Sequence, residues 1–291
     1  MAITFDKLKT DAKIFVELSK DPEWWKRFKE DSLLYIEIRK DNQVNVYFEG
    51  GSVARIHYCS KHKKLQIFTH KEYLDGKYDK TYPEISDCID EKYETILKGV
   101  QDHYSQKKGK IDVLPKDKWS EKYIQAALIV NNRSIHLDSE FAYNDDQSKN
   151  RIDLIICVDG VVTFVELKKI NDGRMLHEDD NTPIEIVEQM VRYRQFIEKY
   201  EAQILTYYQR VYDIKVSLGL PVPDKRPVKV NLTPELWIFD GWEKDTEGRR
   251  IHRERMYKIL KEKGVNYYPI KNFKSSVQSF CIPKQPISPN I

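Results

Sequence analysis

The sequence lacks several features that mark whole classes of protein. Its four cysteines are scattered and form no C-x-x-C pair, so we expect free thiols and no zinc or iron–sulfur centre built on cysteine. No stretch approaches the roughly 20 apolar residues of a membrane span, and the charged amino terminus has no signal-peptide segment. A G-x-x-x-x-G-K-[ST] phosphate loop is also missing, so any motor would be another chain. We therefore expect a cytoplasmic protein without a membrane partner.

A strong excess of charge of one sign is missing too. The formal net charge is +3, from 49 basic and 46 acidic residues, which alone does not indicate a nucleic-acid partner but permits one where basic residues cluster. Hydrophobic residues make up 40% of the 291 residues and charged residues 33%. A chain of this length and composition can form a sizeable core in one large domain or two ordinary ones.

The first third of the chain is typical of a small α+β domain. Four segments between Leu33 and Lys71 alternate apolar and polar residues and are separated by turn-forming or basic stretches, a pattern that predicts an antiparallel β-meander. Helical patterns lie before it and after it, the second from about Ser86 to Tyr104. The polar segment SQKKGK then interrupts the periodicity. We predict an N-terminal α+β domain over residues 1–108, for substrate or partner recognition, and a second domain over residues 109–291.

The most informative stretch runs from Arg151 to Lys169, RIDLIICVDGVVTFVELKK. It reads as two apolar strands joined by Asp159-Gly160, a dipeptide suited to a two-residue hairpin turn. Asp153 lies in the first strand, and Glu166 and Lys168 share one face of the second. Charged side chains in a buried hairpin are costly unless they are paired or bind a metal ion.

These three side chains can form a phosphodiester hydrolase site. Two carboxylates on neighbouring strands can bind a hard dication such as Mg²⁺, which polarises a phosphodiester and lowers the pKa of a bound water. Lys168 could stabilise developing negative charge or help to deprotonate the water, and a desolvated lysine near a cation is expected to have a lowered pKa. The alternative is an ion pair that only holds the hairpin together.

Two helices flank the hairpin in sequence. The earlier one, predicted over residues 116–131, carries Glu121 in line with its apolar positions, either as an acid at the helix N-terminus or as an acid facing a site. The later one follows the capping-box pattern of Thr182-Pro183-Ile184-Glu185 and is long, extending to about residue 215 unless it breaks partway. Gln189 and Tyr193 are neighbours on its surface.

The ordered set of Glu121, Asp153, Glu166-Leu167-Lys168 and Gln189-x-x-x-Tyr193 resembles the signature of the PD-(D/E)XK nuclease superfamily, in its RecB-like branch. The resemblance implies an α/β or α+β, restriction-endonuclease-like core with a mixed sheet in the order α-β-β-β-α-β. It also implies roles for the individual residues. Asp153, Glu166 and the Leu167 carbonyl would bind Mg²⁺ or Mn²⁺, Lys168 would be the catalytic lysine, and Glu121 would complete the acidic site. Gln189 and Tyr193 would support the site or contact the DNA backbone.

The sequence departs from the family pattern in three respects: Ile152 stands where the signature has proline, no cysteine ligands flank the domain as in iron–sulfur relatives, and no helicase motif is present. The leading hypothesis is a metal-dependent deoxyribonuclease with a role in defence, repair or mobile elements. The alternative is a non-catalytic adaptor on the same fold that binds nucleic acid or protein. DNA or RNA as substrate, endonuclease or exonuclease action, and a homodimer or a partner protein all stay open.

Overall fold

The computed structural model describes residues 5–77, 79–108, 116–144, 149–175 and 184–271. Within these ranges the chain has ten strands and seven α-helices, so the expected mixture of helix and sheet is confirmed. The helices are α1 (Lys13–Leu18), α2 (Glu23–Glu30), α3 (Glu72–Asp75), α4 (Ile89–Lys108), α5 (Glu121–Asn131), α6 (Glu185–Ser217) and α7 (Glu247–Glu262). None of these helices has both the length and the apolar character that crossing a bilayer requires.

The first sheet is the predicted antiparallel meander. Its strands are β1 (Leu34–Arg39), β2 (Gln43–Phe48), β3 (Gly51–Cys59) and β4 (Lys64–Phe68), in that spatial order. Asn42, Glu49, Gly50 and Lys63 all adopt positive φ in the connections, which is how such short turns reverse the chain. The alternation of apolar and polar residues corresponds in β2 to an alternation of buried and partly exposed side chains.

The second sheet is mixed. It contains β5 (His136–Asn144), β6 (Lys149–Val158), β7 (Val161–Lys169), β8 (Lys229–Val230), β9 (Glu235–Asp240) and β10 (Tyr267–Lys271). The spatial order is β10-β9-β7-β6-β5, with the short β8 also paired to β7. β5, β6 and β7 are antiparallel neighbours, whereas β9 runs parallel to both β7 and β10. Helix α5 therefore precedes three antiparallel strands, and α6 crosses over from β7 to the parallel strands.

Helices cover the two faces of this mixed sheet. Helix α5 packs on Val165 and Leu167 of β7 together with aromatic residues of β9 and β10. Helix α6 packs on the opposite face, against Val162 and Phe164. Because side chains alternate along a strand, Glu166 and Lys168 of β7 belong to the α6 face.

The apolar core on the α6 face continues into the first third of the chain. Buried residues of α1, α2, β1 to β4 and α4 belong to the same cluster as Phe141 of β5 and Ile204 of α6. The predicted boundary between residues 108 and 109 falls where the described residues are interrupted, and the division into two domains stays a prediction. Cys281, Thr182 and Pro183 also lie outside the described residues, so the capping box predicted for α6 does as well.

Several element boundaries differ from those expected. An Asp-Pro pair commonly supplies an N-cap followed by the first helical residue, yet here Asp21 adopts positive φ, Pro22 is the N-cap and α2 begins at Glu23. The helix expected from residue 116 begins with a short 3-10 turn, and α5 itself starts at Glu121 after the N-cap Ser120. Helix α6 runs over 33 residues with non-helical backbone angles at Tyr200, so it is both long and interrupted.

Candidate functional site

The β6–β7 hairpin brings Asp153 and Glu166 together. Asp159 and Gly160 both have positive φ at its tip, as the Asp-Gly turn predicts. Leu154 pairs with Val165 across the antiparallel ladder, so Asp153 and Glu166 are the next positions on the two strands. The backbone N–H of Leu167 donates to Asp153 Oδ2 over 2.9 Å, which fixes the Asp153 carboxylate against β7.

Lys168 lies at the centre of an oxygen-rich cluster. Its side chain is almost fully buried, and its Nζ donates to Glu166 Oε1 and, over 2.9 Å, to the Leu167 carbonyl oxygen. Two further carboxylates face the same nitrogen, with Glu121 Oε1 at 3.6 Å and Asp153 Oδ2 at 3.8 Å. Three carboxylates from α5, β6 and β7 thus converge on one ammonium group.

Glu121 reaches this cluster because of how α5 begins. Ser120 is the N-cap, and its hydroxyl accepts a hydrogen bond from the backbone N–H of Tyr123 over 3.1 Å. Glu121 is then the first residue of the helix, where the helix dipole favours a negative charge. Glu121 is therefore an acid at the helix N-terminus that also faces Lys168, so the two positions that the sequence left open for it do not exclude each other.

Helix α6 supplies the groups that hold Glu166. Gln189 Nε2 donates to Glu166 Oε1 over 2.8 Å, and the Tyr193 hydroxyl lies 3.1 Å from Glu166 Oε2 and 2.8 Å from the Arg151 carbonyl oxygen. Gln189 Nε2 also lies 2.6 Å from the Tyr193 hydroxyl, so the two side chains contact each other as their four-residue spacing predicts. The structure therefore brings together every residue that the sequence analysis singled out for the site.

Burial and mutual repulsion perturb the acids of this site. Burial raises the pKa of Asp153 well above its ordinary value, and the nearby Glu166 carboxylate raises it further. The pKa of Glu121 is also raised, chiefly by burial. Such clustered and perturbed groups are typical of functional sites.

The pKa of Lys168 differs from the sequence-based expectation. We expected a lowered pKa for a lysine near a cation, yet the pKa of Lys168 is raised in the observed arrangement. Burial does favour its neutral form, but the carboxylates of Glu166, Asp153 and Glu121 outweigh burial and favour the ammonium. Lys168 is therefore a charged donor here.

No ready-made metal cage is present in the described ranges. Among those residues no group of three or more His, Cys, Asp or Glu side chains is arranged to hold a metal ion. The carboxylates of Glu121, Asp153 and Glu166 instead surround an ammonium, and cysteine and histidine take no part in the cluster.

The sequence analysis missed two residues at the edge of the cluster. Arg174 NH2 lies 4.0 Å from Glu121 Oε2, and Arg174 is held by Asp172 through two hydrogen bonds of 2.9 Å and 2.6 Å. Both residues lie in the polar connection after β7, which carries no periodic pattern. The D-x-R spacing within a turn is the one signal that could have drawn attention to them.

Three further polar residues, Asp138, Glu140 and His57, lie outside the cluster and have other partners. Asp138 is buried and paired with Arg39 at 3.1 Å, and Glu140 pairs with Arg151 at 2.9 Å. His57 contacts Gln66 at 3.2 Å in the β3–β4 hairpin, as an ordinary polar pair.

Comparison of the chain with protein-family models, with curated protein sequences and with solved structures gave no match. The arrangement of side chains and the order of the elements are therefore what bear on function.

Proposed function

We propose that this chain is a Mg²⁺- or Mn²⁺-dependent nuclease that hydrolyses DNA phosphodiester bonds, in the manner of PD-(D/E)XK nucleases of the RecB-like branch. The observation that carries the proposal is the convergence of Glu121, Asp153 and Glu166 on Lys168 Nζ. Side chains from three elements that are separate in sequence, α5, β6 and β7, meet at one buried nitrogen. An ion pair that only stabilises the hairpin would need one carboxylate, not three from three elements.

The order of elements supports the same proposal. Helix α5, the antiparallel strands β5, β6 and β7, helix α6, the two-residue strand β8 and the parallel strand β9 follow one another along the chain. With the short β8 set aside, this succession agrees with the α-β-β-β-α-β order that the family resemblance implies. The acids and the lysine lie on β6 and β7 and at the start of α5, and the Q-x-x-x-Y pair lies on α6, as the resemblance would have them.

The donor chemistry of the cluster fits a hard dication. Asp153, Glu166 and the Leu167 carbonyl offer only oxygen atoms, which Mg²⁺ and Mn²⁺ prefer. In the observed arrangement the ammonium of Lys168 already attracts these oxygens, which is the behaviour of a site that binds positive charge. A bound dication would supply the positive charge that polarises a phosphodiester and acidifies a water molecule.

The residues of the chain then have distinct tasks. Gln189 and Tyr193 hold the Glu166 carboxylate in one orientation through hydrogen bonds to both of its oxygens. The Leu167 N–H does the same for Asp153. Lys168 carries its proton at Nζ and would donate to a phosphodiester oxygen as negative charge develops on it.

The proposal is tested by a cleavage assay on linear, circular and single-stranded DNA with Mg²⁺ or Mn²⁺. We expect the wild-type chain to cut at least one substrate and Lys168→Ala to abolish cutting. Lys168→Met retains the aliphatic volume and should also be inactive. Lys225→Ala is the matched control, because Lys225 forms an exposed ion pair with Asp159 at the hairpin tip. Thermal melts show whether each variant is folded.

Metal binding is tested separately by calorimetry. Asp153→Asn should weaken Mg²⁺ or Mn²⁺ binding at least tenfold, because a neutral amide replaces a carboxylate ligand.

Cutting by folded Lys168→Ala at the wild-type rate would refute the assignment. Salt-dependent DNA binding without metal-dependent cutting would favour the adaptor function instead.

A further inference from the structure

A short turn after β7 fixes an arginine at the edge of the candidate site. The Asp172 carboxylate accepts hydrogen bonds from Arg174 Nε over 2.9 Å, from Arg174 NH2 over 2.6 Å and from the Arg174 backbone N–H over 2.9 Å. The Arg174 carbonyl in turn accepts from the backbone N–H of Ile186 over 3.2 Å, at the start of α6. Both ends of Arg174 are therefore held, and the guanidinium has a defined orientation beside Glu121.

The side chains of the site form a gradient of exposure that ends at this arginine. Lys168 is 1% exposed and Glu166 3%, followed by Asp153 at 17%, Glu121 at 31% and Arg174 at 44%. Arg174 is therefore the side chain of this group that is most accessible to a ligand from solvent, and Lys168 the least.

The charges of the site favour a cation at its edge for the binding of an anionic substrate. Four carboxylates (Glu121, Asp153, Glu166 and Asp172) surround two cations, so a phosphodiester would be repelled by the acids unless positive charge faces it. The Asp172 pair uses Arg174 Nε and NH2, and within the described part of the chain NH1 makes no hydrogen bond. That nitrogen is free to donate to a ligand.

We propose that Arg174 contacts a non-bridging oxygen of the phosphodiester at the site, and that Asp172 positions it. This inference rests on the proposed function and adds to it one contact with the substrate. A guanidinium suits the task because it is always charged and presents several donors in one plane. Its pKa is raised further, first by the hydrogen bonds that it donates to Asp172, so the positive charge persists at any working pH.

The chain contains a close match for a control variant. Arg226 forms the same two-point pair with Asp213, through bonds of 2.8 Å from Nε and from NH2, and its side chain is 47% exposed. It lies beside Gly160 at the tip of the β6–β7 hairpin, whereas Arg174 follows the other end of β7. The nine residues of β7 separate the two arginines by roughly 25 Å or more.

The experiment measures DNA cleavage and oligonucleotide binding for the wild type, Arg174→Ala, Arg174→Lys and Arg226→Ala. We expect Arg174→Ala to lower kcat/KM by about 10- to 100-fold, the range for losing a charge-assisted hydrogen bond. Arg174→Lys should restore only part of this loss, because it keeps the charge without the planar fork. Arg226→Ala should match the wild type.

Binding provides a readout that a merely structural role would not change. Fluorescence anisotropy of a labelled oligonucleotide, repeated at several salt concentrations, should show weaker binding for Arg174→Ala and a salt slope that is smaller by about one phosphate contact. Asp172→Asn should show a smaller loss in the same direction. Circular dichroism melts confirm that the variants fold.

The outcomes separate this inference from the proposed function. If the wild type cuts DNA and Arg174→Ala matches Arg226→Ala in both kcat/KM and salt slope, the contact by Arg174 is refuted and the nuclease function stands. If the wild type binds DNA without cutting and Arg174→Ala alone weakens that binding, the nuclease function fails and the contact is supported. A wild type that neither cuts nor binds DNA overturns both.

Discussion

Tyr193 shows how a single hydroxyl can organise the candidate site. Its ring is buried in α6, and its oxygen contacts Glu166, Gln189 and the carbonyl of Arg151. The hydroxyl therefore connects the helix to both strands of the hairpin. Its pKa is raised, chiefly by burial, so it stays protonated and acts as a hydrogen-bond donor.

Tyr193→Phe should lower metal-dependent cleavage by about 10- to 100-fold, the usual effect of losing a group that orients a ligand. The ring still fills its place, so the loss would come from a Glu166 carboxylate whose Oε2 is no longer held, while Gln189 and Lys168 still contact Oε1. The measurement is initial cleavage rate at saturating metal. Tyr208→Phe is the control, because that buried hydroxyl lies on the same helix, 3.4 Å from Asp138 and away from the site. Equal rates for the two variants would contradict a role for Tyr193 in the site.

For single residues, spacing along the sequence was sufficient to predict some neighbours in the site but not others. The two-residue spacing of Glu166 and Lys168 predicts a shared face, and the four-residue spacing of Gln189 and Tyr193 predicts their contact. The charge state of Lys168 could not be predicted, because it depends on carboxylates from β6 and α5 that meet only in the fold. Arg174 was missed for the same reason, since a turn has no periodicity that indicates its neighbours.

The contact between α3 and α4 depends on a glycine. A Cβ added to Gly99 would lie 2.1 Å from the backbone carbonyl oxygen of Tyr73, so the two helices approach each other at this point more closely than any side chain allows. Gly248, near the start of α7, has open space around it instead. The same substitution at the two positions therefore separates packing from helix propensity.

Gly99→Ala should lower the free energy of unfolding by about 1–3 kcal/mol, since backbone atoms must move to admit the methyl group. Gly248→Ala should leave it unchanged or raise it by up to about 1 kcal/mol, because alanine favours the helix. Urea denaturation followed by circular dichroism measures both. A neutral result at Gly99 would mean that α3 moves away from α4 at little cost.

Among the elements, regular stretches were predictable and their ends were not. The four alternating segments predict the meander, and the Asp-Gly dipeptide predicts the hairpin, because each pattern reports its own local geometry. The end of a helix depends on capping contacts in three dimensions, which is why α5 begins at Ser120 and Glu121 rather than near residue 116. No proline or glycine near Tyr200 in the sequence indicates that α6 is interrupted there.

A buried polar network joins the meander to the mixed sheet and to α6. Glu37 of β1 accepts hydrogen bonds from His136 Nε2 over 2.7 Å, from Ser139 Oγ over 2.8 Å and from Lys215 Nζ over 3.2 Å. Next to it Arg39 donates to Asp138 Oδ1 over 3.1 Å. Each of these hydrogen bonds joins β1 of the meander to a residue of β5 or α6.

The pKa values of the two acids in this network, Glu37 and Asp138, are shifted in opposite directions. Burial raises the pKa of Glu37, yet Lys215 and His136 outweigh burial, so the pKa of Glu37 is lowered and its carboxylate stabilises the fold until the solution becomes strongly acidic. Burial raises the pKa of Asp138 to about 7, despite the nearby Arg39. In the unfolded chain Asp138 releases its proton near pH 4, about three units earlier. Its contribution to stability is therefore complete below pH 4 and is lost as the pH rises through about 7.

We expect Asp138→Asn to remove this pH dependence. Relative to the wild type, the variant should gain stability as the pH rises from 4 to 7 and keep a constant difference above that, because the amide has no proton to release. Melting temperatures of both proteins from pH 4 to pH 9 measure the effect. A difference that does not change with pH would show that Asp138 is already ionised in the folded chain at pH 4.

For the molecule as a whole, the class of fold was predictable and the joining of its parts was not. The change of period from strand to helix and back along the chain predicts a meander followed by a mixed arrangement of helices and strands. Nothing in the sequence pairs Glu37 with His136 or Lys215, which are separated from it by 99 and 178 positions. Such long-range polar contacts arise only when the two sheets meet.

Helix α6 gives this architecture a consequence for protein engineering. Its first turns hold Glu166 through Gln189 and Tyr193, and its last turn places Lys215 against Glu37. A fragment that begins at α5 would keep the residues of the candidate site but leave the ammonium of Lys215 without its carboxylate, and such an uncompensated buried charge is strongly destabilising. We therefore expect that the segment from α5 onward does not fold stably without the meander. A chimaera that carries the meander of another protein would need an acid at the position of Glu37.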